Sequence, residues 1–188
     1  PFILYEDGIY YMYATSSEKT LSCYRSEDLE NWADSKVVFE IPQDFWAYKD
    51  VWAGEVHQYK GKYYLFVSLL GKHGLRGTQI AVSDKPDGQF IPLVDRAVTP
   101  LDQSCIDGTL FVCDGKPFIF YSHDWPDNYF EENDEYVGEI WCSELTEDLT
   151  AMKGDAIRLF ASNEVPLSKQ TPDRLTWEGR RTKRYGSD

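Results

Sequence analysis

The sequence predicts an all-β domain, a β-propeller of four-stranded antiparallel blades of which about three are present. Three observations carry that prediction. An internal repeat recurs at intervals of 53 and 54 residues, each repeat has strand-type composition, and helical periodicity is weak throughout.

The stretches 8–15 (GIYYMYAT), 61–68 (GKYYLFVS) and 115–122 (GKPFIFYS) align from their first glycine to a final Thr or Ser. Aromatic and β-branched residues of this kind suit a well-buried pleated strand. Each stretch follows a short apolar strand, at 2–5, 56–59 and 109–113, across the turns Asp7-Gly8, Lys60-Gly61 and Asp114-Gly115. Those turn residues suit tight hairpins, because Gly and, less readily, Asp accept positive φ. A third strand is expected at 21–25, 78–83 and 139–143, followed by polar turns at 26–32, 83–88 and 146–149 and an edge strand. Four antiparallel strands per repeat make a propeller blade.

The units run about 1–45, 46–101 and 102–162, with 163–188 leading into a fourth whose first strand is expected at 181–184 and turn at 185–188. Three units and one strand do not close a ring, so 1–188 reads as one partial propeller domain. The stretch 124–148, with ten acidic residues and no Lys or Arg, reads as a solvated loop.

Bulk properties exclude several classes. With 32 acidic against 19 basic side chains the net charge is -13, which repels phosphate backbones and anionic lipid surfaces, so no nucleic-acid partner is expected. No apolar run approaches the roughly 20 residues of a membrane span. Cys23, Cys105, Cys113 and Cys142 lack zinc-ligand spacing and read as buried thiols; no metal site and no required cofactor are expected. Phosphate-binding loops and nucleophile elbows are missing from the pattern. The sequence opens on Pro1, so a trimmed chain is expected.

The innermost strand of each blade borders the central channel, where an acid at its head faces a shared space. Asp107 and Glu178 each lie eight residues before a turn glycine, Gly115 and Gly186, and Glu55 lies six before Gly61. Converging carboxylates are what glycosidic cleavage needs: one protonates the leaving oxygen while another activates water. Repulsion and partial burial separate their pKa values into acid and base. A single Asp at a strand head also serves as a backbone cap, so the repeated placement carries the functional reading. Trp46, Trp52 and Trp125 are candidate sugar platforms, and His57 and His123 are candidate partners for sugar hydroxyls.

These residues resemble glycoside hydrolase family 43. Trp52-Ala53-Gly54-Glu55 is similar to its Trp-Ala-Pro-(Asp/Glu) segment, Ile106-Asp107-Gly108 to its Ile-Asp-Pro segment, and Glu178-Gly179 to the start of its Glu-Gly-Pro segment. Pro1-Phe2-Ile3-Leu4 resembles the stretch after its first catalytic Asp. The resemblance implies a five-bladed propeller that hydrolyses arabinosides or xylosides of plant-type polysaccharides with inversion. It makes Asp107 the residue that orients the acid and tunes its pKa, Glu178 the general acid, and Glu55 a residue near the sugar pocket. Glu164-Val165-Pro166 echoes another form of the acid motif and makes Glu164 a weaker rival. Gly54, Gly108 and Arg180 depart from the family's prolines. The general base is expected at the position before Pro1, which implies that the chain as given is inactive. The family also implies a structural calcium, for which the sequence supplies no obvious ligands. Two other readings remain: a non-catalytic carbohydrate-binding propeller, and a glycoside phosphorylase or transglycosidase, the latter drawing on the basic run 180–184.

Overall fold

The computed structural model of the chain describes residues 1–124, 128–131 and 135–164, and the backbone of short strands at 174–175, 181–182 and 184–185. Blade 1 consists of β1 (Phe2–Glu6), β2 (Ile9–Ser17), β3 (Thr20–Ser26) and β4 (Lys36–Glu40). Blade 2 consists of β5 (Ala47–Tyr59), β6 (Lys62–Gly71), β7 (Arg76–Ser83) and β8 (Ile91–Pro92). In blade 3, β9 (Cys105–Cys113) and β10 (Lys116–His123) are followed by a small hairpin of β11 (Tyr129–Phe130) and β12 (Glu135–Val137). The sheet then resumes with β13 (Glu139–Glu144) and β14 (Ile157–Ala161). All three sheets are antiparallel and keep chain order from the first strand outward. Beyond them, β15 (Arg174–Leu175) pairs with β16 (Arg181–Thr182), and β17 (Arg184–Tyr185) pairs in parallel with β12. Among the described residues no helix is long and apolar enough to cross a membrane.

The hairpins follow from their turn chemistry. Registers Glu6↔Ile9, Tyr59↔Lys62 and Cys113↔Lys116 leave two residues in each loop. Both have positive φ: 49° and 84° at Asp7-Gly8, 47° and 77° at Lys60-Gly61, 51° and 76° at Asp114-Gly115. This is the mirror-image turn whose twist matches that of the strands it joins. The turns 26–32 and 146–149 are also alike: Leu29 and Leu149 adopt φ of 66° and 59°. Asp28 and Asp148 accept the following backbone N–H groups there.

Strand β6 sets the packing. Tyr63, Leu65, Val67 and Leu69 point to a core shared with blade 1, which includes Tyr13, Leu21, Phe39 and Val56. Tyr64 and Phe66, one step out of phase, join a second core with Ile80, Cys105, Ile119 and Tyr121 of blades 2 and 3. The period-two alternation thus divides one strand between two interfaces. Each of the larger buried side chains contributes about 1.5 to 3 kcal/mol. Buried Tyr13 donates its hydroxyl to the Pro86 carbonyl at 2.8 Å and so ties blade 1 to blade 2.

Three expectations need correction. Strand β5 starts at Ala47, nine residues earlier than expected at 56, because bulges interrupt the alternation by which a strand is read. The acidic stretch 124–148 is not simply a solvated loop: it contributes three strands, and Asp124 and Glu139 are buried. The cysteines are all free, but only Cys23 and Cys105 are buried, whereas Cys113 is exposed. Burial pushes the Cys23 thiol up to about 12.

Candidate functional site

The heads of β5 and β9 carry matching irregularities. In β9, Thr109 pairs with Phe120 and Ile106 with Ser122, so Asp107 and Gly108 together face Tyr121. In β5, Glu55 pairs with Phe66 and Trp52 with Ser68, so Ala53 and Gly54 face Val67. Two residues against one make a β-bulge, a device that re-aims side chains. The first residue of each bulge is left-handed, with φ 54° at Asp107 and 46° at Ala53. Asp tolerates that conformation better than most residues. Ala53, not Glu55, therefore occupies the place equivalent to Asp107, and Glu55 corresponds to Thr109. The difference between six and eight residues before the turn glycine was the signal that these acids are not equivalent.

Glu55 and Thr109 nevertheless meet across the blades. Thr109 Oγ1 donates to Glu55 Oε2 at 2.7 Å, and His57 Nε2 lies 3.0 Å from the same oxygen. The His57 ring is tilted against Phe2 of β1 and packs edge-on to Phe66. Burial raises the Glu55 pKa, but the bonds from His57 and Thr109 outweigh it and hold the carboxyl below its ordinary range. A carboxylate depressed in this way stabilises the fold above its unfolded-state pKa, and that stabilisation is lost as pH falls through the folded value. Glu55→Gln is expected to cost about 1 kcal/mol at neutral pH and to flatten the acid-side decline in stability. Urea unfolding at about pH 7 and about pH 4 checks both.

Trp52 stands at the edge of the β5 bulge, 38% exposed. The Arg76 guanidinium lies 4.1 Å from its ring centroid and pairs with Asp50 at 2.8 Å. Asp50 is itself buried and left-handed, with φ 61°. One blade thus orients the indole through a fixed cation and leaves part of it open. Ser68 Oγ accepts the Asp107 N–H at 2.9 Å, tying the acid-bearing bulge to blade 2. Thr109, Ser68 and Arg76 were not singled out from sequence, although the Thr or Ser ending each aromatic strand was the visible trace of Ser68.

Among the described residues, the other candidates have partners of their own, and Arg76 also lines the cavity beside Trp46. Trp46 packs its ring on Gly71 and Gly77 and gives its indole N–H to Gln79 Oε1 at 2.8 Å. It forms a wall of a cavity of about 230 Å³ with His73, Leu75 and Arg96 on blade 2. His123 ends β10, one strand out from β9, with Nδ1 3.4 Å from Glu139 Oε2. Glu139 in turn accepts from Trp141 Nε1 and from Arg158 Nε. Glu164 follows β14, the outermost strand of blade 3. It accepts the Ala161 N–H and an Arg158 N–H, both at 2.9 Å, and these lower its pKa. Glu178 and Trp125 lie outside the described residues. Among the described residues no group of three or more His, Cys, Asp or Glu side chains is arranged to hold a metal ion.

Comparison with known proteins bears on this geometry. The sequence profile of Glycosyl hydrolases family 43 matches residues 1–179. The solved endo-arabinase of Bacteroides thetaiotaomicron VPI-5482 has a TM-score of 0.78 and 38% identity, covering 88% of this chain and 57% of that one. Xylosidase/arabinosidase 43A of Humicola insolens is 34% identical over 94 residues, 49% of this chain and 28% of its own length. Extracellular endo-alpha-(1->5)-L-arabinanase 1 of Bacillus subtilis (strain 168) is 28% identical over 142 residues, 66% of this chain and 43% of its own. The chain therefore spans between 28% and 57% of the length of these relatives.

Proposed function

The chain belongs to glycosyl hydrolase family 43, and from that footing we propose that the complete protein hydrolyses arabinosidic or xylosidic bonds of plant-type polysaccharides by an inverting mechanism. The observation that carries the reading is Asp107, held in a bulge at the head of the innermost strand of blade 3. The Asp107 carboxylate raises the pKa of the general acid by like-charge repulsion and orients it. Glu178 is that acid and protonates the leaving oxygen as the glycosidic bond breaks. A further carboxylate of the complete protein takes the proton of the water that attacks the anomeric carbon from the opposite face.

Around this centre, Trp52 offers its open indole surface to a sugar ring. Glu55, kept ionised by His57 and Thr109, accepts hydrogen bonds from sugar hydroxyls. The likeness to an endo-arabinase at 38% identity favours arabinan-type substrates. The test is hydrolysis by the complete protein of linear arabinan, aryl arabinosides and aryl xylosides, with the first-formed anomer followed by NMR. Release of the inverted anomer is expected. Retention of configuration overturns the mechanism, and binding of all three without cleavage replaces the enzyme with a carbohydrate-binding propeller.

A further inference from the structure

Asp107 adopts φ 54°, a conformation that a non-glycine residue keeps only where its surroundings fix it. Those surroundings come from the neighbouring blade. Ser68 Oγ accepts the Asp107 N–H at 2.9 Å, and Ser68 is 1% exposed, so the bond is shielded from water. Thr78 stands directly across from Ser68 in the β6–β7 register and is fully buried. Its Cγ2 and Oγ1 lie 2.5 Å from where a Cβ on Gly108 would stand. One cross-strand pair of blade 2 therefore holds the bulge by a polar contact at Asp107 and a steric stop at Gly108.

The repeat gives an internal comparison. Thr15 occupies the position of Ser68 in blade 1, and its hydroxyl donates to the Val51 carbonyl of β5 at 2.6 Å. A hydroxyl at this place thus anchors the innermost strand of the following blade in both cases. Of these two anchors, Ser68 is the one that holds a carboxylate with a role in the proposed reaction.

We infer that Ser68 is a positioning residue that fixes the Asp107 carboxylate relative to the general acid, with Thr78 as its steric counterpart. The inference rests on the role proposed for Asp107. A displaced Asp107 carboxylate raises the pKa of the general acid less, so the basic limb of the kcat profile moves to lower pH. Misplacement of catalytic geometry by a fraction of an ångström is also costly in rate.

The experiment compares Ser68→Ala, Ser68→Thr and Asp107→Asn in the complete protein through pH profiles of kcat, KM values and thermal unfolding. Ser68→Ala is expected to lower kcat about tenfold with KM little changed, and to move the basic limb to lower pH. Ser68→Thr is expected to restore both, since Thr15 shows that a β-branched hydroxyl suits this register position. Asp107→Asn moves the same limb further in the same direction. A Ser68→Ala profile superposable on wild type beside a shifted Asp107→Asn profile overturns the inference and leaves the role of Asp107 standing. Two unshifted profiles overturn both. A lowered melting temperature with the limb in place marks the bond as structural only and also overturns the inference.

Discussion

The Asp107→Asn variant of the complete protein is expected to keep its fold and to lose about 10²- to 10⁴-fold in kcat, the usual weight of acid–base assistance. Asn is nearly isosteric and, like Asp, tolerates the left-handed conformation at this bulge. The backbone N–H that Ser68 accepts is unchanged by the substitution. What disappears is one negative charge, and with it, on the proposed mechanism, the repulsion that keeps the proton donor protonated at neutral pH. The loss should therefore fall on kcat and kcat/KM together, with little change in melting temperature. A variant with near-wild-type kcat on linear arabinan removes Asp107 from the reaction.

The second large effect is on stability. Gly108→Ala is expected to destabilise the fold by about 1 to 3 kcal/mol, the usual cost of overpacking a tight contact. The new methyl would meet the Cγ2 and Oγ1 of Thr78 at 2.5 Å and its Cβ at 2.9 Å. Thr78 has no room to retreat: it is fully buried and its N–H is bonded to Thr99 Oγ1 at 3.0 Å. Gly108→Pro, which restores the residue of the family motif, should cost at least as much. Thr78→Ala removes the two nearest atoms, so Gly108→Ala combined with Thr78→Ala should cost less than the sum of the single changes. A double-mutant cycle by urea unfolding measures that coupling, and strict additivity would sink the explanation. By contrast, a Cβ on Gly54 first meets the terminal δ-carbons of Leu21 and Leu65, at 2.9 and 3.3 Å, which shift more easily than the branch at Thr78 Cβ, and Gly54→Ala should be milder.

The blades and their hairpins were legible in the sequence because the information is local. A turn of Asp-Gly or Lys-Gly between aromatic alternations specifies both the loop conformation and the register. The site was legible only in part. Asp107 stood out through its spacing from Gly115, and the same spacing rule distinguishes it from Glu55, which sits two residues further along its strand. The bulges concealed the start of β5, since an extra residue reverses the in–out phase that a reader follows. Partners such as Ser68 with Asp107, or Glu55 with Thr109, are 39 and 54 residues apart, and nothing in either segment alone specifies their meeting. Trp46 and His123, read as ligand-facing by residue type, have tertiary partners that residue type does not reveal: Gln79 for the indole N–H of one and Glu139 for Nδ1 of the other.

Because β6 sends alternate side chains into two separate cores, blade 2 acts as a keystone between its neighbours. A truncation at Leu65 loosens the seam with blade 1, whereas one at Phe66 loosens the seam with blade 3. The amides of β6 should consequently be among the last to exchange with deuterium, since opening them requires both seams to part. Among the described residues, mechanical coupling between the outer blades passes through blade 2.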